Sequence, residues 1–125
     1  AYANSSSCSI QLVLGEIPEI KLDEKEIRQL LLNLVRNGLE AMHPGGIVTI
    51  KTTYHKNIVA LAITDQGTGI PKDILENIGK PFVTTKATGT GLGLATCYQI
   101  ANRHNATINI ETSRQGTTFT INFPV

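Results

Sequence analysis

The sequence contains no tryptophan, one methionine and two cysteines, and these shortages exclude several classes of protein. Cys8 and Cys97 lie far apart and form no Cys-x-x-Cys or Cys/His spacing, so we expect no structural zinc site. So few cysteines also favour a reducing, cytosolic compartment. No apolar run approaches the ~18–20 residues that cross a bilayer, and no signal-peptide pattern is visible.

Neither sign of charge is in excess, because 11 Lys and Arg residues face 10 Asp and Glu residues, a formal net charge of +1. Binders of nucleic acids or membrane surfaces normally carry a basic excess, so we expect neither partner. The 125 residues, 41% of them hydrophobic, suffice for one globular domain over 1–125. Because the chain opens on Ala1 and its one methionine is Met42, we expect it to be a piece of a longer protein.

Glycine, by contrast, is concentrated in the middle of the chain. Six of the 11 glycines fall within residues 67–93, far more than even spacing would place there. Glycine permits backbone conformations and close approaches that other residues do not. The sequence therefore predicts that this region either folds into unusual turns or lies directly against a ligand.

Apolar periodicity predicts the elements around these glycines. Alternation indicates strands over 9–14, 47–54, 58–64, 107–111 and 117–123, and a short extra strand over 19–22. Helical spacing predicts a long helix that Asp23 and Glu26 cap, a short helix after Pro71 and a second long helix over 91–105. Residues 1–8 are predicted to be a loose N-terminal segment. This order indicates an α/β (α+β) two-layer sandwich, a mixed, mainly antiparallel sheet of about five strands with three helices on one face.

Three polar residues share one stripe of the first long helix. Asn33, Asn37 and Glu40 are spaced by four and three residues, which places them on the same face. Asparagine disfavours helix interiors, so two on one stripe need a reason. An amide oxygen is a hard donor that suits Mg²⁺. The alternative is a polar stripe that faces solvent.

A carboxylate and two glycines follow an apolar strand directly, as Asp65-x-Gly67-x-Gly69. A carboxylate at a strand end can accept a hydrogen bond from an exocyclic amine, and neighbouring glycines let a flat ring lie against the backbone. Adenine has both features. The alternative is an Asp-led turn with glycines at positive φ.

The segment 89–94, Gly-Thr-Gly-Leu-Gly-Leu, leads into the second long helix. Free N–H groups at a helix N-terminus bind phosphate. The spacing is neither a Rossmann fingerprint, which needs glycine in place of Leu94, nor a Walker A loop, which needs Gly-Lys-Ser/Thr. Upstream, Lys80 and Lys86 flank Phe82; a lysine there can neutralise a phosphate, and the phenyl ring can anchor the loop. The alternative is a helix cap, solvated lysines and a core Phe.

Taken in order, these motifs resemble the boxes of the histidine-kinase ATP-binding domain. The matching segments are 33–41 (NLVRNGLEA, N box), 65–71 (DQGTGIP, G1 box), 80–86 (KPFVTTK, F box), 89–94 (GTGLGL, G2 box) and 116–119 (GTTF, closing strand). Order and spacing match from about Ser9 to Pro124. The sequences Thr-Thr-Lys at 84–86 and Gly-Thr-Gly-Leu-Gly-Leu at 89–94 are most like those of sensor kinases of the nitrogen-regulation and sporulation type. Gly38 departs from the pattern, which usually has Ala there.

The resemblance implies a Bergerat fold with ATP and Mg²⁺ as its cofactors. Asn37 would hold Mg²⁺ with Asn33 beside it, and Asp65 would accept from the adenine amine. The residues implied to bind nucleotide are Asn33, Asn37, Asp65, Gly67, Gly69, Ile70, Phe82, Thr85, Lys86, Gly89, Thr90, Gly91, Leu92, Gly93, Leu94 and Thr117. Asn37 and Lys86 are implied to be catalytic, and 79–91 to be a lid over ATP.

Asn33 separates two branches of this superfamily. Related ATPases of the gyrase, Hsp90 and mismatch-repair types carry a glutamate there that activates water, and the related serine kinases tend to carry an acid. An amide cannot act as a general base. The resemblance therefore implies phosphoryl transfer to a histidine. The alternative is an ATPase or protein-serine kinase switch in which ATP closes the lid and drives partner docking.

In such kinases the acceptor histidine lies in a separate helical dimerisation domain, and a response regulator receives the phosphoryl group later. We expect His43, His55 and His104 to be ordinary surface histidines, so this fragment should not phosphorylate itself efficiently. The domain is expected to be monomeric in isolation and cytoplasmic, in a parent protein that a membrane segment can anchor.

Overall fold

The structure, a computed structural model, describes residues 8–76 and 90–125. Within these ranges the chain forms five strands, two long helices and one helical turn. The strands are β1 Ser9–Leu14, β2 Ile47–His55, β3 Ile58–Thr64, β4 Thr107–Ser113 and β5 Gly116–Pro124. The helices are α1 Glu24–Ala41, α2 Lys72–Leu75 and α3 Thr90–Arg103.

One sheet contains the five strands in the order β1-β2-β3-β5-β4. β1 runs parallel to β2, whereas the other three neighbouring pairs are antiparallel. A parallel pair needs a long crossover, and α1 supplies it across one face of the sheet. α3 packs beside α1 on that face. The predicted two-layer sandwich with a mixed, mainly antiparallel sheet is confirmed.

The core lies between the sheet and the two long helices. β3 and β5 alternate, so every second side chain points towards the helices. The antiparallel register places the inward residues in the pairs Val59–Phe123, Leu61–Ile121 and Ile63–Phe119. From α1, Leu30 and Leu34 complete the core and are 0% and 1% exposed. Burying each of these leucines stabilises the fold by ~1.5–3 kcal/mol.

α1 begins where the sequence predicts. The side chain of Asp23 accepts a hydrogen bond from the Glu26 N–H at 3.0 Å, which satisfies one N–H group that the first turn would leave free. The helix ends at Ala41, shortly before Pro44 and Gly45, because neither of these residues favours a helix interior.

One prediction about an element is wrong. Residues 19–22 form no strand: the chain leaves the sheet at Gly15, whose N–H donates to the Thr52 carbonyl at 3.0 Å, and Ile20 then packs on the core without a neighbouring strand. The short helix predicted after Pro71 is present as the single turn α2. Residues 1–7 and most of the predicted lid, 79–89, lie outside the described residues.

His104 is not the surface side chain that the sequence predicts, because only 8% of it is exposed. The Asp23 N–H donates to its Nε2 at 3.0 Å, and its Nδ1 lies 2.8 Å from the carbonyl oxygen of Ile100. With Nε2 accepting, the ring proton sits on Nδ1 and donates to Ile100. The ring also meets Phe123 edge-on, with centroids 6.4 Å apart. His104 thus joins the start of α1 to the end of α3 and to the sheet.

Replacing His104 by Ala is therefore expected to lower the free energy of unfolding by ~2–3 kcal/mol, from two lost hydrogen bonds and lost ring packing. His55→Ala, at an exposed hairpin residue, should stay within about 0.5 kcal/mol of wild type. Urea denaturation of the three proteins measures the difference. Equal midpoints for His104→Ala and wild type would show that the histidine does not join the two helices.

Candidate functional site

Asp65 stands immediately after β3, and the neighbouring start of β5 fixes its carboxylate. The N–H groups of Gly67 and Thr117 donate to its Oδ1 at 2.8 and 3.3 Å. Its own N–H donates to the Thr117 carbonyl at 2.9 Å, so backbone and side chain are both held. Both of these side-chain bonds reach Oδ1, and no donor among the described residues occupies Oδ2.

The carboxyl of Asp65 is buried, with 8% of the residue exposed. Burial raises its pKa, and the two N–H groups from Gly67 and Thr117 lower it without offsetting the burial. A buried carboxylate with an oxygen that no donor of the described residues reaches favours a ligand that brings a donor of its own. An exocyclic amine is such a donor.

The two glycines of the loop after Asp65 are required by the packing of the protein itself. A Cβ at Gly67 would lie 2.8 Å from the carbonyl oxygen of Ala41, at the end of α1. Gly69 has φ +92°, and a Cβ there would overlap the carbonyl oxygen of Ser113 on β4. The loop is thus fitted between α1 and β4, which places any ligand of Asp65 against rigid elements.

α1 forms the wall beside Asp65. Gly38 lies against this carboxyl, since a Cβ built on it would be 3.1 Å from the Asp65 Cβ and 3.6 Å from Oδ2. The preceding residue, Asn37, has a buried amide nitrogen that finds no hydrogen-bond partner among the described residues. A buried amide nitrogen without a partner costs ~1–3 kcal/mol, which marks Asn37 as an unusual residue in this wall.

Asn33, one turn earlier, is in a different situation. Its Oδ1 accepts a hydrogen bond from the Gln29 Nε2 at 2.9 Å, and its side chain also bonds the Cys97 thiol. Of the two amides predicted for the metal, only Asn37 presents an unsatisfied atom. Glu40, the third member of the predicted stripe, is exposed.

The predicted phosphate side is only partly within the described residues. α3 begins at Thr90, so Gly91 and Gly93 belong to its first turn, where N–H groups have no acceptor within the helix. Leu94 is 3% exposed and its side chain belongs to the core. Phe82, Thr85, Lys86 and Gly89 lie outside the described residues, so their roles stay predictions.

Three residues outside the loop also hold it in place, and the sequence did not indicate them: Met42, Ile47 and Thr112. The Gln66 N–H donates to the Met42 Sδ at 3.2 Å, and the Gln66 Oε1 accepts from the Ile47 N–H at 3.0 Å. The Ile70 N–H donates to the Thr112 Oγ1 at 2.9 Å. No sequence signal marks these contacts, because each joins residues at least 19 positions apart.

Residues 22–125 match the family model described as histidine kinase-, DNA gyrase B- and HSP90-like ATPase. The chain is 39% identical over 104 residues to sporulation kinase C of Bacillus subtilis, covering 82% of this chain and 24% of that protein. It is 37% identical over 125 residues to the sensor histidine kinase ZraS of Escherichia coli, covering 98% and 27%. The chain thus spans about a quarter of the length of these relatives.

Solved structures agree. The catalytic domain of histidine kinase ThkA, in a nucleotide-free form, superposes with a TM-score of 0.86 at 30% identity, over 98% of this chain and 82% of that one. Full-length ShkA in complex with AMPPNP matches with a TM-score of 0.86 at 26% identity, over 98% and 27%. The chain belongs to the histidine kinase-, DNA gyrase B- and HSP90-like ATPase family and is homologous to the catalytic domains of sensor histidine kinases.

Proposed function

We propose that this domain binds Mg-ATP and donates the γ-phosphoryl group to a histidine on a separate dimerisation and phosphoacceptor domain of its parent kinase. The observation that carries the proposal is the fixed carboxylate of Asp65, whose Oδ1 is held by two N–H groups while Oδ2 lies free of described donors beside α1. That oxygen suits the adenine amine. The homology to sensor kinases, and the AMPPNP bound by ShkA, support the same assignment.

Asn37 is the residue that fits a magnesium ion. The described residues contain no group of three or more His, Cys, Asp or Glu that could hold a metal, so an ion here would depend on the Asn37 amide and on oxygens of the nucleotide itself. The oxygen of this amide is the kind of hard donor that magnesium prefers. When bound, the ion would neutralise charge on the phosphates.

The first turn of α3 is proposed to hold the phosphates. The N–H groups of Thr90 to Gly93 point along the helix axis away from its body, and the helix dipole favours negative charge at this end. We also propose that Thr85 and Lys86 contact the nucleotide from a lid over 79–91, which Phe82 anchors. This part of the proposal depends only on the resemblance of these segments to the kinase motifs. Transfer then depends on positioning and charge stabilisation of the phosphoryl group.

Asn33 supports transfer to a histidine over hydrolysis. Its amide has no basic atom at neutral pH, and its oxygen is already bonded to Gln29. A water at this position would keep its proton and remain a poor nucleophile. The second candidate, an ATPase or serine kinase switch, needs a base that Asn33 does not provide.

Mg-ATP binding by calorimetry tests the first half of the proposal, and mixing the domain with the helical acceptor domain of a relative such as sporulation kinase C tests the second. We expect binding and transfer of radiolabelled phosphate to the acceptor histidine. Absence of binding would defeat both nucleotide functions. Steady phosphate release without transfer would favour the ATPase.

Asn33→Glu is expected to raise phosphate release several-fold, because the carboxylate can accept a proton from water in a way the amide cannot, and general-base catalysis contributes ~10²–10⁴-fold when well placed. It should not improve transfer to the acceptor histidine. Asn33→Gln is the matched control, since it lengthens the side chain equally without adding a base. Equal phosphate release from Asn33→Glu and Asn33→Gln would remove water activation as the distinction between the two functions.

The remaining features of the parent protein are proposals from the same homology. Residues 1–125 form one ATP-binding domain, monomeric in isolation, that works with the acceptor domain and, through it, with a response regulator. We place it in the cytoplasm, in a parent that a membrane segment can anchor. Among the described residues, no helix has the length and apolar character that crossing a membrane requires.

A further inference from the structure

The last turn of α1 packs directly against the loop that begins at Asp65. A Cβ on Gly38 would lie 3.1 Å from the Asp65 Cβ, so the helix touches the residue that carries the carboxylate. One turn later, a Cβ on Gly67 would lie 2.8 Å from the Ala41 carbonyl oxygen. Both are packing contacts, which prevent the helix and the loop from moving closer but not from moving apart.

A directional contact lies between these two approaches. The Gln66 N–H donates to the Sδ of Met42, the C-cap residue of α1, at 3.2 Å. The donor is a backbone N–H, and a thioether sulphur carries no proton, so the direction of this bond is fixed. The bond therefore ties the end of α1 to the residue that follows Asp65.

Both partners of this bond are held by further contacts. Met42 is 9% exposed, and a Cβ on Gly46 would lie 2.7 Å from its Sδ, so the turn after α1 lies directly against the sulphur. On the other side, the Gln66 Oε1 accepts at 3.0 Å from the N–H of Ile47, the first residue of β2. Thioether sulphur is a weak acceptor, but one that is fixed in place can position the backbone it contacts.

The bond matters for the site because the proposed base end and the proposed metal end stand on different elements. Asp65 follows β3 and is fixed by the start of β5, whereas Asn37 belongs to α1. A nucleotide that reaches both residues needs the last turn of α1 at one distance from Asp65. Asn37 lies little more than one turn before Met42, so a shift of the helix end would move both.

We propose that Met42 is a positioning residue, whose sulphur keeps Asn37 at the distance from Asp65 that Mg-ATP requires. This inference rests on the proposed function. Without the sulphur, the base still finds Asp65, because this carboxylate keeps its bonds to Gly67 and Thr117. The amide of Asn37 is then no longer held at one place, so the loss falls on the affinity that magnesium adds.

Replacing Met42 by norleucine tests the proposal, because norleucine exchanges the sulphur for a methylene group and keeps the length of the side chain. The chain contains one methionine, so growth on norleucine alters no other position of this sequence. We expect the gain in ATP affinity on adding Mg²⁺, measured by calorimetry, to fall about fivefold. Affinity with a chelator present should stay within about twofold of wild type.

Selenomethionine at residue 42 is the matched control, since selenium keeps an acceptor at the same place. It should retain the full magnesium gain. In the protein without nucleotide, hydrogen exchange of the Gln66 amide should accelerate with norleucine and not with selenomethionine. The Gly67 amide, which donates to Asp65, should exchange at the wild-type rate in both proteins.

A magnesium gain equal to that of wild type in the norleucine protein would overturn the inference, and so would an equal loss of ATP affinity with and without Mg²⁺. A loss of the gain that selenomethionine shares would show that the acceptor does not position the helix. Met42→Leu repeats the measurement if the norleucine protein does not fold. Failure of wild type to bind ATP would instead defeat the proposed function.

Discussion

Replacing Asp65 by Asn is expected to weaken ATP binding about 100-fold and to leave the fold intact. Asparagine keeps an oxygen in place of Oδ1, so Gly67 and Thr117 retain their acceptor. Its amide nitrogen replaces Oδ2, so two donors would face each other where the adenine amine is proposed to bind. Loss of a hydrogen bond to a charged group and an unpaired donor together amount to ~3 kcal/mol. Calorimetric titration with Mg-ATP measures the change.

The same substitution should not destabilise the protein at neutral pH. Burial raises the pKa of Asp65 above the ordinary 3.8, so the folded protein holds this proton more tightly than the unfolded chain does. The stability that the bound proton supplies is fully present below pH 3.8 and is lost as the pH rises through the folded pKa. Asn carries no charge to bury, so at neutral pH the melting temperature of Asp65→Asn should equal or exceed that of wild type.

Glu111→Gln is the control for this pair of effects, because it makes the same carboxylate-to-amide change at an exposed residue of β4. It should alter neither ATP affinity nor melting temperature. If Asp65→Asn binds Mg-ATP within twofold of wild type, the acceptor for the base must be a different residue. If Asp65→Asn melts well below wild type, the carboxylate stabilises the fold through bonds that an amide cannot make.

The periodic elements could be predicted from the sequence, because an element that buries one face needs apolar side chains at its own period. Leu30 and Leu34 recur at helical spacing, and both are fully buried in the core. The place of Asp65 in the fold was also predictable, since an acid directly after a buried strand must lie at the end of the sheet. The lack of a strand at residues 19–22 could not be predicted. Alternation indicates that a segment can form a strand, but the strand forms only where a neighbouring strand is free to pair with it.

The partners of polar side chains could not be predicted, because they depend on which distant segments the fold brings together. Thr112 alternates inward on β4 like any strand residue, yet it bonds Ile70, 42 positions away. His104 bonds Asp23 across 81 positions. The reason for Gly69 differs as well: the sequence suggests room for a base, whereas the structure requires the glycine for contact with Ser113. Such contacts decide how accurately the site is held.

Replacing Asn37 by Ala is expected to move ATP binding and stability in opposite directions. The amide nitrogen of Asn37 is buried and has no partner among the described residues, so its removal ends an unsatisfied contact. Alanine also favours the helix interior by ~0.5 kcal/mol over asparagine. Melting temperature should therefore rise. Mg-ATP affinity should fall about 100-fold, ~2.7 kcal/mol, since the amide is the proposed protein ligand of the ion.

The dependence on magnesium separates a metal ligand from a residue that merely supports the pocket. Wild type should bind ATP more tightly with Mg²⁺ than with a chelator present, and Asn37→Ala should bind equally weakly in both. Asn102→Ala makes the same change at an exposed position of α3, so it should gain helix stability and keep the full magnesium dependence. A variant at Asn37 that loses affinity equally with and without magnesium would place the amide against the nucleotide and not the ion. One that loses stability would mean that the buried amide has a protein partner after all.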